Sequence, residues 1–448
     1  MKTTSFIQDI IASVLDRRFS IGSGQDGRPI EELCGELLSR RGEVSSNQIG
    51  SAILNKYAKF DDEEKLSFFE FLTESLDLNA ESVERHARAY QEDASTETLQ
   101  MLIEAAEPPR QELLRRLNHV PGATAALVSM RQDLLAFLQQ HPSLKRTDID
   151  FSHLLMSWFN RGFLVMRPIS WEAPANILAK IIQYEAVHAI NDWDDLRRRL
   201  QPGDRRCFAF FHPSMSDEPL VFVEVALCKG IPTSVQGVLS EDRSTLNPEQ
   251  SDTAAFYSIS NCQKGLKGIS FGNSLIKQVV RVLSQEMPNL KTFVTLSPIP
   301  GLSDWVSNSG DELPEFLASS LADIQADAVN NGDLAGIETE ADNLKALAAR
   351  YLALTKRNDG LPLDPVARFH LGNGASIYDV HAMADTSTNG LNQSFGVMVN
   401  YLYDIPKVEK HHEDFARDGT VNTSRSIQSK AASKLSHTIS IANKGEDA

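Results

Sequence analysis

Two parts of this 448-residue chain carry residue types and spacings that can do chemistry. In the first, GLKGISFGNSLIK, Gly265, Gly268 and Gly272 fall within eight positions. They lie between a strand-like FYSIS and a run, Leu275, Ile276, Val279, Val280 and Leu283, at helical spacing. Glycine admits positive φ and close approach of backbone to a ligand. A helix opening just after it, capped by Asn273 or Ser274, presents free N–H groups and the positive end of a dipole. That is an anion site, phosphate being the usual anion, and Lys264, Lys267 and Lys277 add charge. Lys267, Gly268, Ile269, Ser270, Phe271, Gly272 and Asn273 are therefore the candidate binding segment, although such turns also serve only to join elements. The second part is His370 in ARFHLGNG and Ser297 in TLSPIPG. Histidine holds and releases a proton near neutrality. Ala367–Leu371 reads as a strand, with Arg368 and His370 on one face and Phe369 and Leu371 on the other. Ser297 ends a strand beginning at Thr292, and Pro298 and Pro300 keep the backbone extended behind it. His212 in FFHPS and His381 are rival histidines, His212 being better suited to shaping a turn. The residues alone leave a structural role open for both His370 and Ser297.

Composition narrows the classes. Apolar residues make up 42% and charged residues 23%, as in ordinary globular proteins. A net charge of −16 argues against a nucleic-acid partner. It also requires a phosphate-rich ligand to find its positive charge locally. Cys34, Cys207, Cys228 and Cys262 show neither CxxC spacing nor a disulfide framework, which fits a reducing cytoplasm. There is no EF-hand, HExxH or Cys/His cluster, and His411-His412 is weak, so neither metal nor cofactor is expected. The first residues form an amphipathic pattern interrupted by Asp9 and Asp16, not a signal peptide, and no run reaches transmembrane length.

The elements that must position these residues read as follows. Residues 1–160 are helical in pattern: Ile49, Ala52, Ile53, Tyr57 and Phe60 form one stripe. Leu66, Phe69, Leu72 and Leu76 form the next, behind the helix start Asp61-Asp62-Glu63-Glu64. The expectation is a helical bundle for packing or oligomerisation. Residues 161–410 alternate helices and strands. Ala175–Leu200 is one or two helices; Cys207–His212 and Leu220–Leu227 are strands, the second buried except for Glu224. Gln236–Thr253 reads as a polar loop, Asp311–Leu354 as helix, and Val397–Tyr403 as a strand with Val397, Val399, Tyr401 and Tyr403 on one face. An α/β domain with a mixed sheet is expected. Residues 411–448 read as a polar, mobile tail.

Taken together, FFHPSMSDEPLVFVEVAL, NPEQSDTAAFYSIS, FYSISNCQKGLKGISFGNSLIK, LSPIPG, FHLGNGA and MADTSTNGLNQSFGVMVNYLY, in this order, resemble the malonyl-CoA decarboxylase family. The resemblance runs from about Ser157 to Tyr403 and more loosely through the helical part. It implies a helical domain followed by a catalytic domain of the N-acetyltransferase (GNAT) fold, and conversion of malonyl-CoA to acetyl-CoA and carbon dioxide without metal or organic cofactor. It implies a homo-oligomer, taken as a tetramer built of dimers. Residue by residue it implies a catalytic role for His370, a partner role for Ser297 at the malonyl group, and active-site positions for Ser258 of YSIS and Tyr403 of VNYLY. Animal members carry a glutamate where this chain has Ser270, so no acid–base role can be carried over to that position, and Glu224 is a possible substitute. A GNAT-type N-acyltransferase and a silent acyl-CoA-binding regulator are the alternative readings.

Overall fold

The computed structural model describes residues 26–39, 43–269, 275–308 and 315–435. Contacts divide the chain into two compact units. The first comprises Met1–Val165 with two later segments, Phe211–Leu220 and Gln263–Phe271. Its described part is a helical bundle running from Ile30–Leu38 to Lys145–Trp158. The acidic start at Asp61 is a full capping box: Asp61 accepts from the Glu64 N–H, and Glu64 accepts from the Asp61 N–H. The stripes foreseen from the sequence close on one core of Ile53, Phe68, Phe69, Leu72, Leu117, Leu127, Leu134 and Leu155. Two charged pairs are buried within it, Arg110–Asp150 and Arg131–Asp148. Each guanidinium also reaches backbone carbonyls, which is how such charges are tolerated in an interior.

The second unit holds Met166–Phe210, Val221–Cys262 and Gly272–Ala448. It is built on an eight-stranded mixed sheet of order β1-β2-β3-β4-β5-β8-β6, with β7 also paired to β8. The strands are β1 (Val165–Ile169), β2 (Arg205–His212), β3 (Met215–Cys228), β4 (Thr253–Asn261), β5 (Thr292–Thr295), β6 (Ser297–Pro298), β7 (Ser376–His381) and β8 (Met398–Leu402). β4 and β5 are parallel; β3–β4, β5–β8, β6–β8 and β7–β8 are antiparallel. The run Leu220–Leu227 is buried throughout, as its composition required, and carries Glu224 inside. A register shift between Glu224 and Val225 interrupts the ladder where Glu224 pairs with Ser258.

Three expectations are corrected. Residues 365–372 form a helix, not a strand: Asp364 caps it by accepting from the Ala367 N–H at 2.7 Å, and Pro365 occupies its first turn. The polar stretch after Gln236 contains a short helix, Val235–Leu239. The described part of the tail is structured, with helices Val408–Asp418 and Arg425–Ala432, and residues 436–448 lie outside the described residues. Phe415 and Ile427 are buried there, and these apolar anchors give an otherwise polar segment something to pack with.

Candidate active site

His370 sits in the last turn of the helix Pro365–Gly372, buried at 2% exposure. Its Nδ1 is 2.9 Å from the Tyr403 hydroxyl, and its Nε2 is 3.2 Å from Ser297 Oγ. Ser297 Oγ in turn donates to Thr295 Oγ1 at 2.8 Å. The imidazole stacks on the Tyr401 ring, with centroids 4.4 Å apart and planes 24° from parallel. Ser297 stands where the sequence placed it, at the end of the β5–β6 run. Gly301 of the SPIPG turn is glycine for a packing reason, since a Cβ there would meet the Tyr351 hydroxyl at 2.3 Å.

Burial dictates the charge state. Desolvation lowers His370 to about 3 and raises Tyr403 well above the ordinary phenol range. The imidazole is therefore neutral at neutral pH and the phenol keeps its proton. Ser297 spends its hydrogen on Thr295, so its oxygen accepts from His370 Nε2–H. Nδ1 is then the acceptor for the Tyr403 O–H. The hydrogen bonds run in one direction, Tyr403 to His370 to Ser297 to Thr295.

Ser258 has a different set of partners. Phe256 pairs with Thr295 across β4 and β5, but the register shift pairs Ser258 with Glu224 and Phe256 with Val225, so Ser258 projects from the sheet face opposite to Phe256, Thr295 and Ser297. Ser258 donates to the Glu185 carboxylate, 2.8 Å from each oxygen. Glu224, its partner across β3–β4, is fully buried. Burial first, and then the Glu185 charge, raise its carboxyl to about 8 against the pull of Arg199, which lies 3.3 Å away. Tyr401, Thr295 and Glu185 were not singled out from the sequence. Tyr401 and Thr295 had a signal, being two residues from Tyr403 and Ser297 on alternating strands. Glu185, just after the helix Ala175–Tyr184, had none.

The other candidates separate from this cluster. His212 accepts from the Ser214 N–H at Nδ1 and lies 3.1 Å from the Trp158 carbonyl at Nε2, a turn-shaping role. His381 Nε2 lies 2.5 Å from Asn400 Oδ1. In the glycine-rich stretch, Lys264–Leu266 is a 3-10 turn. The N–H groups of Lys267 and Ile269 are taken by the Lys264 and Leu266 carbonyls, so these two are not free for an anion as expected. Gly265 serves packing, its Cβ position lying 1.8 Å from the Val128 carbonyl oxygen. Gly268 has φ +81° and open space around it. Ser270, Phe271, Gly272 and Asn273 lie outside the described residues. A cavity of about 450 Å³ lined by Thr233, Ser234, Glu338, Lys345, His381 and Met383 contains none of the residues around His370. Among the described residues no group of three or more His, Cys, Asp or Glu is placed to hold a metal, and no helix is long and apolar enough to cross a membrane.

Residues 162–441 match the malonyl-CoA decarboxylase C-terminal domain and residues 77–159 the N-terminal domain of the same enzyme. A mitochondrial malonyl-CoA decarboxylase of Mus musculus is 34% identical over 358 residues, 73% of this chain and 72% of the relative. That of Anser anser anser is 34% identical over 324 residues, 66% of this chain; the chain spans 64% of its length, a little under two thirds. The crystal structure of malonyl-CoA decarboxylase from Rhodopseudomonas palustris superposes with a TM-score of 0.83 at 47% identity, over 89% of this chain and 98% of that one. The enzyme from Agrobacterium vitis gives 0.83 at 46%, over 90% and 100%. With both domain models matched in order and His370, Ser297 and Tyr403 gathered in one buried cluster, the chain belongs to the malonyl-CoA decarboxylase family of carboxy-lyases.

Proposed function

We propose that the protein decarboxylates malonyl-CoA to acetyl-CoA and carbon dioxide, with Ser297 at the malonyl carboxylate, His370 as the proton donor and Tyr403 fixing the imidazole. The observation that carries this reading is the one-directional hydrogen-bond chain through His370. In the reaction the bond between the α-carbon and the carboxyl carbon breaks. Its electron pair passes into the thioester carbonyl as an enolate, and one proton is then added to the α-carbon. Alignment of the breaking bond with the carbonyl π system and donors at the enolate oxygen lower the barrier. His370, held neutral by burial, carries no surplus proton in the empty site. A malonyl carboxylate beside Ser297 is a negative charge in a dry surrounding, and it favours the imidazolium. The proton is thus taken up with the substrate and passed to carbon once carbon dioxide has left. Ser258 is given an active-site position by the family resemblance; its hydroxyl bonds the Glu185 carboxylate on the opposite sheet face.

Binding of the CoA phosphates rests on the turn at Gly268, whose positive φ and open surroundings permit close approach, with Lys267 adding charge. The helical unit serves assembly of a homotetramer, and the protein works in the cytoplasm. Light scattering giving a monomer mass at micromolar concentration would remove the tetramer, and recovery of the protein in a membrane-bounded fraction would remove the cytoplasmic placement. The decisive experiment is turnover of malonyl-CoA with no amine acceptor present. Acetyl-CoA and carbon dioxide appear in equal amounts, and His370→Asn lowers kcat by about 10²–10⁴-fold with KM little changed. Turnover that needs an amine would make the protein an acyltransferase instead.

A further inference from the structure

We propose that Tyr401 is a positioning residue of the decarboxylation: its ring, stacked on the imidazole of His370, stabilises the imidazolium that gives its proton to the α-carbon. The proposal rests on the reading of His370 as the proton donor and adds a residue to it. The imidazole meets different chemistry at its edges and at its face. Its edges bond hydroxyls, Nδ1 that of Tyr403 and Nε2 that of Ser297, so each nitrogen meets a neutral oxygen. Its face lies on the Tyr401 ring, with centroids 4.4 Å apart and planes 24° from parallel. An aromatic face carries negative charge density and attracts a cation stacked on it, more strongly where water is excluded. Water is excluded here, with Tyr401 at 0% exposure and His370 at 2%.

The ring is held where it is needed. Tyr401 lies within β8, paired with Ile377 of β7, and its N–H donates to Thr295 Oγ1 at 3.2 Å. That oxygen also receives the Ser297 hydrogen, so the stacked ring and the serine share one anchor. The Tyr401 hydroxyl is buried with no hydrogen-bond partner among the described residues, and burial keeps the phenol protonated. What Tyr401 offers His370 is therefore the π face, not a hydrogen bond and not a charge. Other titratable groups stand on the elements packed around the histidine helix. On that helix Asp364 caps the opposite end, and Arg368 donates to the carbonyls of Pro362 and Leu363. The helix Val408–Asp418 brings His411 and His412, the latter with Nδ1 2.7 Å from the Gly372 carbonyl. β7 brings Asp379, paired with Lys430, and His381, paired with Asn400. Both imidazole nitrogens being taken by hydroxyls, these groups act on His370 from a distance, and the contact that favours its charged form is the Tyr401 face.

The test uses the full chain and malonyl-CoA, with kcat followed as a function of pH. His370 must carry its proton in the substrate complex, so kcat declines on a basic limb whose midpoint is the pKa of that complex. Losing a group that stabilises the charged form lowers this midpoint. Tyr401→Leu removes the π face. Its limb moves to lower pH by about one unit, and kcat at neutral pH falls by about tenfold with KM within about twofold of wild type. The deficit closes as pH is lowered. Tyr401→Phe gives the face back, returns the limb and recovers most of the loss. A packing role alone gives the same fractional loss at every pH. That result, or an unmoved limb, overturns the proposal, as does a Tyr401→Phe enzyme no better than Tyr401→Leu. If Tyr401→Leu does not fold, phenylalanines carrying increasing numbers of ring fluorines are placed at Tyr401, which keeps the shape and weakens the negative face. The expected kcat at neutral pH drops with each added fluorine, and a level series overturns the proposal. A His370→Asn enzyme with wild-type kcat refutes the proton-donor reading instead, so the two failures are distinct.

Discussion

The Tyr403 hydroxyl lies 2.9 Å from His370 Nδ1, on the side of the ring away from Ser297, and donates to the nitrogen that the Ser297 contact leaves without hydrogen. Tyr403 follows β8 directly, where its own N–H donates to the Phe293 carbonyl at 2.8 Å; the ring is therefore held by the sheet as well as by the hydroxyl. Phe256 packs beside it, with centroids 6.5 Å apart.

Tyr403→Phe keeps this packing and removes only the hydrogen bond. Nδ1 is then left unpaired in a buried place, and the imidazole is free to take the other tautomer. A hydrogen bond to a group that becomes charged is worth about 1.5–3 kcal/mol, which corresponds to roughly 10- to 100-fold in rate. The expected result is a fall in kcat of that size with KM nearly constant, measured by acetyl-CoA formation. Wild-type kcat in Tyr403→Phe would mean that the hydroxyl does not hold the imidazole during turnover.

How much of this was legible in the sequence differs from residue to residue. Ser297 was legible because the prolines behind it leave few conformations for its backbone, and Tyr403 because alternation along β8 put it on the face of Tyr401 and Val399. His370 was found, but on the wrong element. ARFHLGNG has no strong helical stripe over so short a length, while Asp364-Pro365 upstream supplies the cap and first turn that make it a helix. Its glycine marks a helix end: Gly374 has φ +84°, and a Cβ there would come within 2.1 Å of the Val408 carbonyl oxygen. Glu185 was invisible because its meaning lies in Ser258 and Ser260, more than seventy residues away, and no local period encodes that meeting.

Acid stability reports on His370 directly. Its pKa is about 3 in the folded chain and near 6.5 when unfolded. Between those values the unfolded chain binds the extra proton, so stability rises with pH there and is flat above about 6.5. Falling pH therefore costs about 1.4 kcal/mol per unit below about 6.5 from this one group. His370→Gln should lose less stability than wild type between pH 7 and pH 4.5 in denaturant titrations. Parallel losses in the two proteins would mean that the imidazole is solvated in the native state.

The glycine-rich turn separates packing from binding. Gly265→Ala drives a Cβ into the Val128 carbonyl of the neighbouring helix and should lower the melting temperature by several degrees, since overpacking costs about 1–3 kcal/mol. Gly268→Val meets open space and pays only for its positive φ, roughly 1–2 kcal/mol. Its main effect should be weaker CoA binding in calorimetry. Unchanged affinity in Gly268→Val would place the phosphates elsewhere.

Arg199 and Glu224 look like an ion pair, yet the two should respond unequally to mutation. Arg199 bonds the carbonyls of His188 and Ala189 and the carboxylate of Asp195 as well as reaching Glu224. Removing it in Arg199→Ala strands all of these in the interior, at a cost of about 3–5 kcal/mol. Glu224 is fully buried, its Oε1 has no hydrogen-bond partner, and its carboxyl is raised to about 8. It is therefore protonated at pH 7, and Glu224→Gln exchanges one neutral group for another at about 1 kcal/mol or less. The pH dependence has the opposite sign to that of His370. The folded chain holds the proton more tightly than the unfolded one, so this group's contribution to stability falls as pH rises from about 4.3 towards 8. Glu224→Gln should abolish that decline, and the difference between the two unfolding curves isolates it. Equal destabilisation by Arg199→Ala and Glu224→Gln at pH 7 would show that Glu224 is ionised and that the contact with Arg199 is a full ion pair.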